Sequence, residues 1–181
     1  CHYNLKQHFP AFVRARPKIA LEAAIRCLDF YILNTHVIRY PNKSGKLLEI
    51  EEFVFDGGKS LYISDGNFSW SQTRYPEGPL DIADALFAYV REIAGDPLKH
   101  ELLDRLLEVF RDNVRMAYFW AQLLIVGSEY PGVLAKRLFD LCIARPIQIH
   151  SDTIYQLGEF LRVSFQHFST NQRFILEKSL I

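Results

Sequence analysis

Six histidines, three cysteines and two glycine-bearing turns hold most of the side chains in this 181-residue chain that could do chemistry. Two imidazoles on one helix share a metal when they sit three or four residues apart, and His2, His8, His36, His100, His150 and His167 include no such pair and no HExxH. His150 and Asp152 are close enough to bind together, yet an Asp that follows Ser151 at a helix start is the commoner capping arrangement. Cys1, Cys27 and Cys142 form no CxxC, and Cys27 and Cys142 lie on apolar helix faces, where a thiol acts as a small hydrophobe. No serine sits in GxSxG. A phosphate loop needs a glycine where Tyr40 stands and a hydroxyl after Lys46, so Gly45-Lys46-Leu47 is read as a plain loop. Neither a metal, a cofactor nor a nucleophile is expected.

Two other groupings carry more. Arg162-Val163-Ser164-Phe165-Gln166-His167 resembles the Arg-x4-6-His motif of HEPN ribonucleases. The resemblance implies that Arg162 and His167 of two protomers converge on an RNA phosphate, His167 handling the proton and Arg162 the developing charge. The motif departs from the family at Val163, where a polar residue usually follows the arginine. The second grouping is Asp65, Phe68, Trp70, Arg74 and Tyr75, in and beside the polar loop from Gly66 to Gly78. Aromatics among polar and charged loop residues suit a recognition surface, and these five are the expected binding residues.

The elements that would position them follow from periodicity. Ile19, Ala20, Ala23, Ala24, Cys27, Leu28, Tyr31 and Ile32 recur at three and four, predicting a helix from Pro17 to about Leu33. Leu47–Phe55 and Lys59–Ser64 read as strands joined at Asp56-Gly57-Gly58, whose chemistry supports left-handed turn angles. A second helix opens near Pro79 and stops at Gly95-Asp96-Pro97, and a third runs from Pro97 to Asp112-Asn113, expected to cap a fourth. Met116 to Val126 is apolar nearly all round, which marks the fourth helix as the most buried. A fifth covers about Val133 to Ile143, a sixth follows Ser151-Asp152, and a seventh starts at Ser169 to Asn171. Helix starts of the same parity recur in the range of helix-pair repeats. The expected fold is mainly α, with antiparallel helix pairs arranged as a HEAT-like α-solenoid or a helical bundle and a small β-hairpin inserted near residues 47–64.

Composition bounds the partners. Hydrophobic residues make up 49% and charged residues 23%, ordinary values for a globular domain. With 21 basic and 21 acidic residues no net field draws the chain to nucleic acid or an anionic membrane, and the longest uncharged apolar run is too short to cross a bilayer. A cytoplasmic single domain over 1–181, with 47–78 as the hairpin and loop insertion, is the expectation. The sequence opens at Cys1 and closes on Leu180-Ile181 within an apolar pattern, so the domain is expected to belong to a larger protein whose other domains are partners.

Phe53-Val54-Phe55-Asp56-Gly57, then Tyr62-Ile63-Ser64-Asp65-Gly66, Trp70 and Asp84-Ala85-Leu86-Phe87-Ala88-Tyr89 together resemble a helical stretch of large bacterial STAND-type NTPases of anti-phage defence. The resemblance covers about residues 47–95 and implies a sensor or scaffold role, holding a partner protein outside the ATPase and effector domains. The functional expectation is therefore a non-catalytic helical-repeat module that binds protein. The alternative is a HEPN-like dimeric ribonuclease.

Overall fold

A computed structural model describes residues 2–38, 49–71 and 79–180. The described residues form a mainly α domain with a small antiparallel hairpin. In chain order the helices are α1 (His2–Ala15), α2 (Pro17–Ile32), α3 (Asn67–Trp70), α4 (Leu80–Ala94), α5 (His100–Asn113) and α6 (Ala117–Glu129). These are followed by α7 (Pro131–Leu134), α8 (Phe139–Ile143), α9 (Arg145–Ile149), α10 (Ile154–Ser164) and α11 (Thr170–Ser179). The strands are β1 (Ile50–Phe55) and β2 (Gly58–Ile63), and α2 continues into a wider turn over Leu33–Val37.

The hairpin closes on two residues. Phe55 pairs with Gly58, leaving Asp56 and Gly57 as the turn at φ 48° and 69°. Two left-handed residues give the twist that matches the flanking strands, and Asp-Gly is the pair that adopts them most easily. Asp140 Oδ2 accepts the Asp56 amide at 2.9 Å, and Arg111 Nη1 donates to the Asp56 carbonyl at 3.1 Å. Gly58 is required for that approach, since a Cβ there would lie 2.5 Å from Arg111 Cδ.

Strand alternation sends Phe53, Phe55 and Tyr62 inward, where Trp120 meets Phe53 and Phe55 edge-on at 5.2 and 5.5 Å. The outer edge of β2 is tied down: the Ile63 amide donates to the Arg115 carbonyl at 2.8 Å and Trp120 Nε1 donates to the Leu61 carbonyl at 3.0 Å. The hairpin is thereby part of the core, fastened to the α5–α6 connection.

Around it α1 packs on α2 and α4, α2 on α4 and α5, and α6 on α4 and α10. One apolar cluster runs from Phe9 in α1 to Leu176 in α11. As its composition predicts, α6 is buried nearly all round, and Ser169 caps α11 in a reciprocal box with Gln172. Among the described residues no helix is long and apolar enough to cross a membrane.

Several local expectations are corrected. The predicted helices begin at Pro17, and the structure adds α1 before it, with Phe9 and Val13 buried in the core. The stripe of α2 is rotated: Leu21, Ile25 and Asp29 face inward and Ile19 faces out. Asn113 turns back to the Val109 carbonyl and caps nothing, and α6 begins after Met116 without a side-chain cap. The expected fifth helix is two pieces, α7 and α8, and α9 follows it. Asp152 is likewise no cap, since its carboxylate is taken by the hairpin side of the molecule.

Candidate functional site

The loop residues expected to bind divide sharply. Asp65 and Trp70 are buried, Phe68 is 58% exposed, and Arg74 and Tyr75 lie outside the described residues. Asp65 organises the turn into α3: Oδ1 accepts from the Asn67 amide and Nδ2 at 3.1 Å each, and Oδ2 accepts from the Tyr118 amide at 2.8 Å. Trp70 Nε1 donates to the Asp65 carbonyl at 2.7 Å, and its ring stacks on His36 at 4.3 Å. These bonds fasten the loop to α6 and to the end of α2. Burial pushes the Asp65 carboxyl up to about 7, against the pull of the amides it accepts from and with the help of Asp152 nearby.

Asp152 comes from the other end of the chain. Its Oδ2 accepts from the Ser64 hydroxyl and the Asp65 amide, while Oδ1 is buried with no hydrogen-bond partner among the described residues. Next to it Tyr62 stacks on His150 at 5.0 Å, His150 contacts Glu51, and Thr153 Oγ1 donates to the Ile147 carbonyl. The groups of this cluster mostly satisfy one another. Its chemistry is that of a fastening between the hairpin and the α9–α10 connection.

The open site lies on the opposite face of the hairpin. A groove of about 830 Å³ runs between α2, the outward face of β1 and β2, and the α5–α6 connection. Ile25, Leu33, Leu61 and Val114 line it with apolar surface, and Phe30 and Ile50 stand on it 72% and 52% exposed. Phe30 is outside the apolar stripe of α2 and so has no core to enter.

Charges surround this surface. Arg26, Lys59, Arg111 and Arg115 line the groove with Asp29, Glu52 and Asp112. Lys59 pairs with Glu52 at 2.6 Å, and Arg111 pairs with Asp112 at 2.8 Å. Asp29 is only 5% exposed; its Oδ2 takes Arg115 Nη2 at 3.1 Å and Nε at 3.2 Å, while Oδ1 is buried without a partner among the described residues. Burial raises the Asp29 carboxyl to about 6, with the Arg115 guanidinium pulling the other way. Among the described residues Arg26 has no ion-pair partner. Sequence reasoning missed this site. Its signal was a charged residue, Asp29, four after Ile25 and three before Ile32 in a helix stripe that is otherwise apolar.

The groups of the ribonuclease reading are placed apart from both. Arg162 is exposed on α10 and its Nη2 donates to Glu159 at 2.9 Å. His167 falls beyond the helix, in the turn Phe165–His167, beside Gly132. Cys142 is buried, and burial pushes its thiol up to about 12, far from the thiolate a nucleophile requires. Among the described residues no group of three or more His, Cys, Asp or Glu side chains could hold a metal ion. No protein-family model, no curated protein and no solved structure matches this chain.

Proposed function

We propose that this domain is a non-catalytic protein-binding or scaffold module, and that the groove between α2 and the hairpin is where it holds its partner. The observation that carries the reading is an aromatic ring, Phe30, left 72% exposed beside Ile50 over a concave apolar floor. Contiguous exposed apolar surface bounded by charge is the common form of a protein-recognition site, with an aromatic anchor at its centre. Phe68 supplies another exposed ring on the loop side. The role agrees with what the resemblance of residues 47–95 implies, a sensor or scaffold part of a bacterial anti-phage defence protein built from helix pairs.

Selection of phage-displayed random dodecapeptides on the immobilised domain tests the reading, with Phe30→Glu as the control surface. The exposed position of Phe30 predicts an unchanged circular dichroism spectrum for that variant. Enriched peptides should lose at least tenfold in affinity on Phe30→Glu, about 1.4 kcal/mol. A selection that enriches nothing, or peptides that bind both proteins equally, removes the groove as the binding site.

A further inference from the structure

The groove has a charge pattern that narrows its partner, an argument that rests on the protein-binding reading above. Among the described residues four cationic side chains line it, against three carboxylates, and one of those three, Asp29, is withdrawn below the surface. The two exposed carboxylates, Glu52 and Asp112, already hold Lys59 and Arg111. Among the described residues the uncompensated positive charge is therefore on Arg26, while the 48%-exposed Arg115 has the buried Asp29 as its one anion.

We propose that the groove takes an acidic peptide segment of a protein partner, one carboxylate of which recruits Arg115 from Asp29, so that docking places a proton from solvent on Asp29. Apolar side chains of the segment cover Phe30 and Ile50, and its carboxylates meet Arg26 and Arg115. Charge complementarity of this kind selects against basic partners, because a like charge beside Arg26 and Arg115 costs affinity.

The proton follows from the geometry. Among the described residues Asp29 Oδ1 has no donor and Oδ2 has Arg115 alone, so a partner carboxylate that engages the guanidinium strips the buried carboxylate of its counter-charge. An uncompensated buried carboxylate takes up a proton. Among the described residues the other charged groups lining the groove are Arg26 on α2, Lys59 and Glu52 on the hairpin, and Arg111 and Asp112 on α5. Lys59 and Arg111 are held by Glu52 and Asp112, which leaves Arg115 as the group that keeps Asp29 ionised. Free Asp29 titrates at about 6, and in the complex it keeps its proton to a higher pH. Affinity then rises as pH falls toward 6, by at most about tenfold per pH unit, and levels off below it.

The selected dodecapeptides provide the probe. Their sequences should be enriched in Asp and Glu next to apolar residues, and titration calorimetry at pH 7.4 in phosphate and in Tris should show uptake of close to one proton per peptide bound. Asp29→Asn should abolish the uptake and bind at least as tightly as the parent. Arg115→Gln should weaken binding tenfold or more, and Arg26→Gln, a change at an exposed position, severalfold with the fold intact. An enriched pool that is neutral or basic overturns the inference while leaving the binding reading in place. Acidic peptides that bind without proton uptake, or that bind Arg115→Gln and Arg26→Gln undiminished, overturn it too. A selection that yields no binders at all ends both.

Discussion

Ser64 donates its hydroxyl hydrogen to Asp152 at 2.5 Å, joining the end of β2 to the start of α10 across 88 residues of chain. The Asp65 amide uses the same carboxylate oxygen at 3.2 Å. Asp152→Ala would leave that buried amide without an acceptor, whereas the exposed Ser64 hydroxyl can turn to water. An unsatisfied buried donor costs roughly 1–3 kcal/mol. Urea unfolding of Asp152→Ala should show a loss of about 2 kcal/mol, with Ser64→Ala losing less than half as much.

Asp65 should make stability depend on pH in an unusual direction. Its folded carboxyl titrates at about 7, above the ordinary 3.8, so the folded state holds the proton more tightly than the unfolded chain. The stabilisation is complete below pH 3.8 and is lost as pH rises through 7. Asp29, raised to about 6, contributes with the same sign. Urea midpoints measured between pH 5 and pH 8 should fall with rising pH, and the fall should be shallower in Asp65→Asn and shallowest in Asp65→Asn combined with Asp29→Asn. A midpoint that rises over this interval in the parent would contradict the assignment.

Gly127 lets α6 lie directly on α10. A Cβ at this position would sit 2.7 Å from Phe160 Cε2 and 2.9 Å from Leu138 Cδ1, both in buried side chains. Overpacking costs about 1–3 kcal/mol, offset by the up to about 1 kcal/mol by which alanine is the better helix former. Gly127→Ala should lower the melting temperature, and adding Phe160→Leu should cost less in that background than it does in the parent.

Phe68 and Trp70, two residues apart in α3, should separate in a stability assay. Trp70 is 9% exposed, packs on His36 and Tyr118, and donates to the Asp65 carbonyl. Trp70→Ala should lose about 3–5 kcal/mol by chemical denaturation. Phe68→Ala should change stability by less than about 0.5 kcal/mol.

What was legible in the sequence is what short-range physics controls. Asp56-Gly57 specified its own turn because only residues tolerant of positive φ close a two-residue hairpin. The buried character of α6 follows from a helix without a polar face, and Ser169 to Asn171 mark a helix start. The phase of α2 was harder, since Ile19 and Ile25 are equally apolar and only packing against α4 and α5 chooses between them. Pairings across the chain left no local trace. Asp65 with Asp152 and Asp29 with Arg115 are 87 and 86 residues apart, and each looks like ordinary surface charge until the helices meet. The aromatic loop illustrates the reverse case: Trp70 stands among polar residues in the sequence, and the partners that bury it, His36 and Tyr118, are distant along the chain.

Two-stranded sheets leave rows of unspent amides and carbonyls along their rims, and such rims template the strand-by-strand growth of fibrils. Here the rim of β2 is already occupied, its Ile63 amide by the Arg115 carbonyl and its Leu61 carbonyl by the Trp120 indole, with Lys59 further along the strand. A second molecule arriving on that side finds these two groups already taken, so the same contacts that seat the hairpin against the helices also hinder strand addition at the Leu61–Ile63 end of β2.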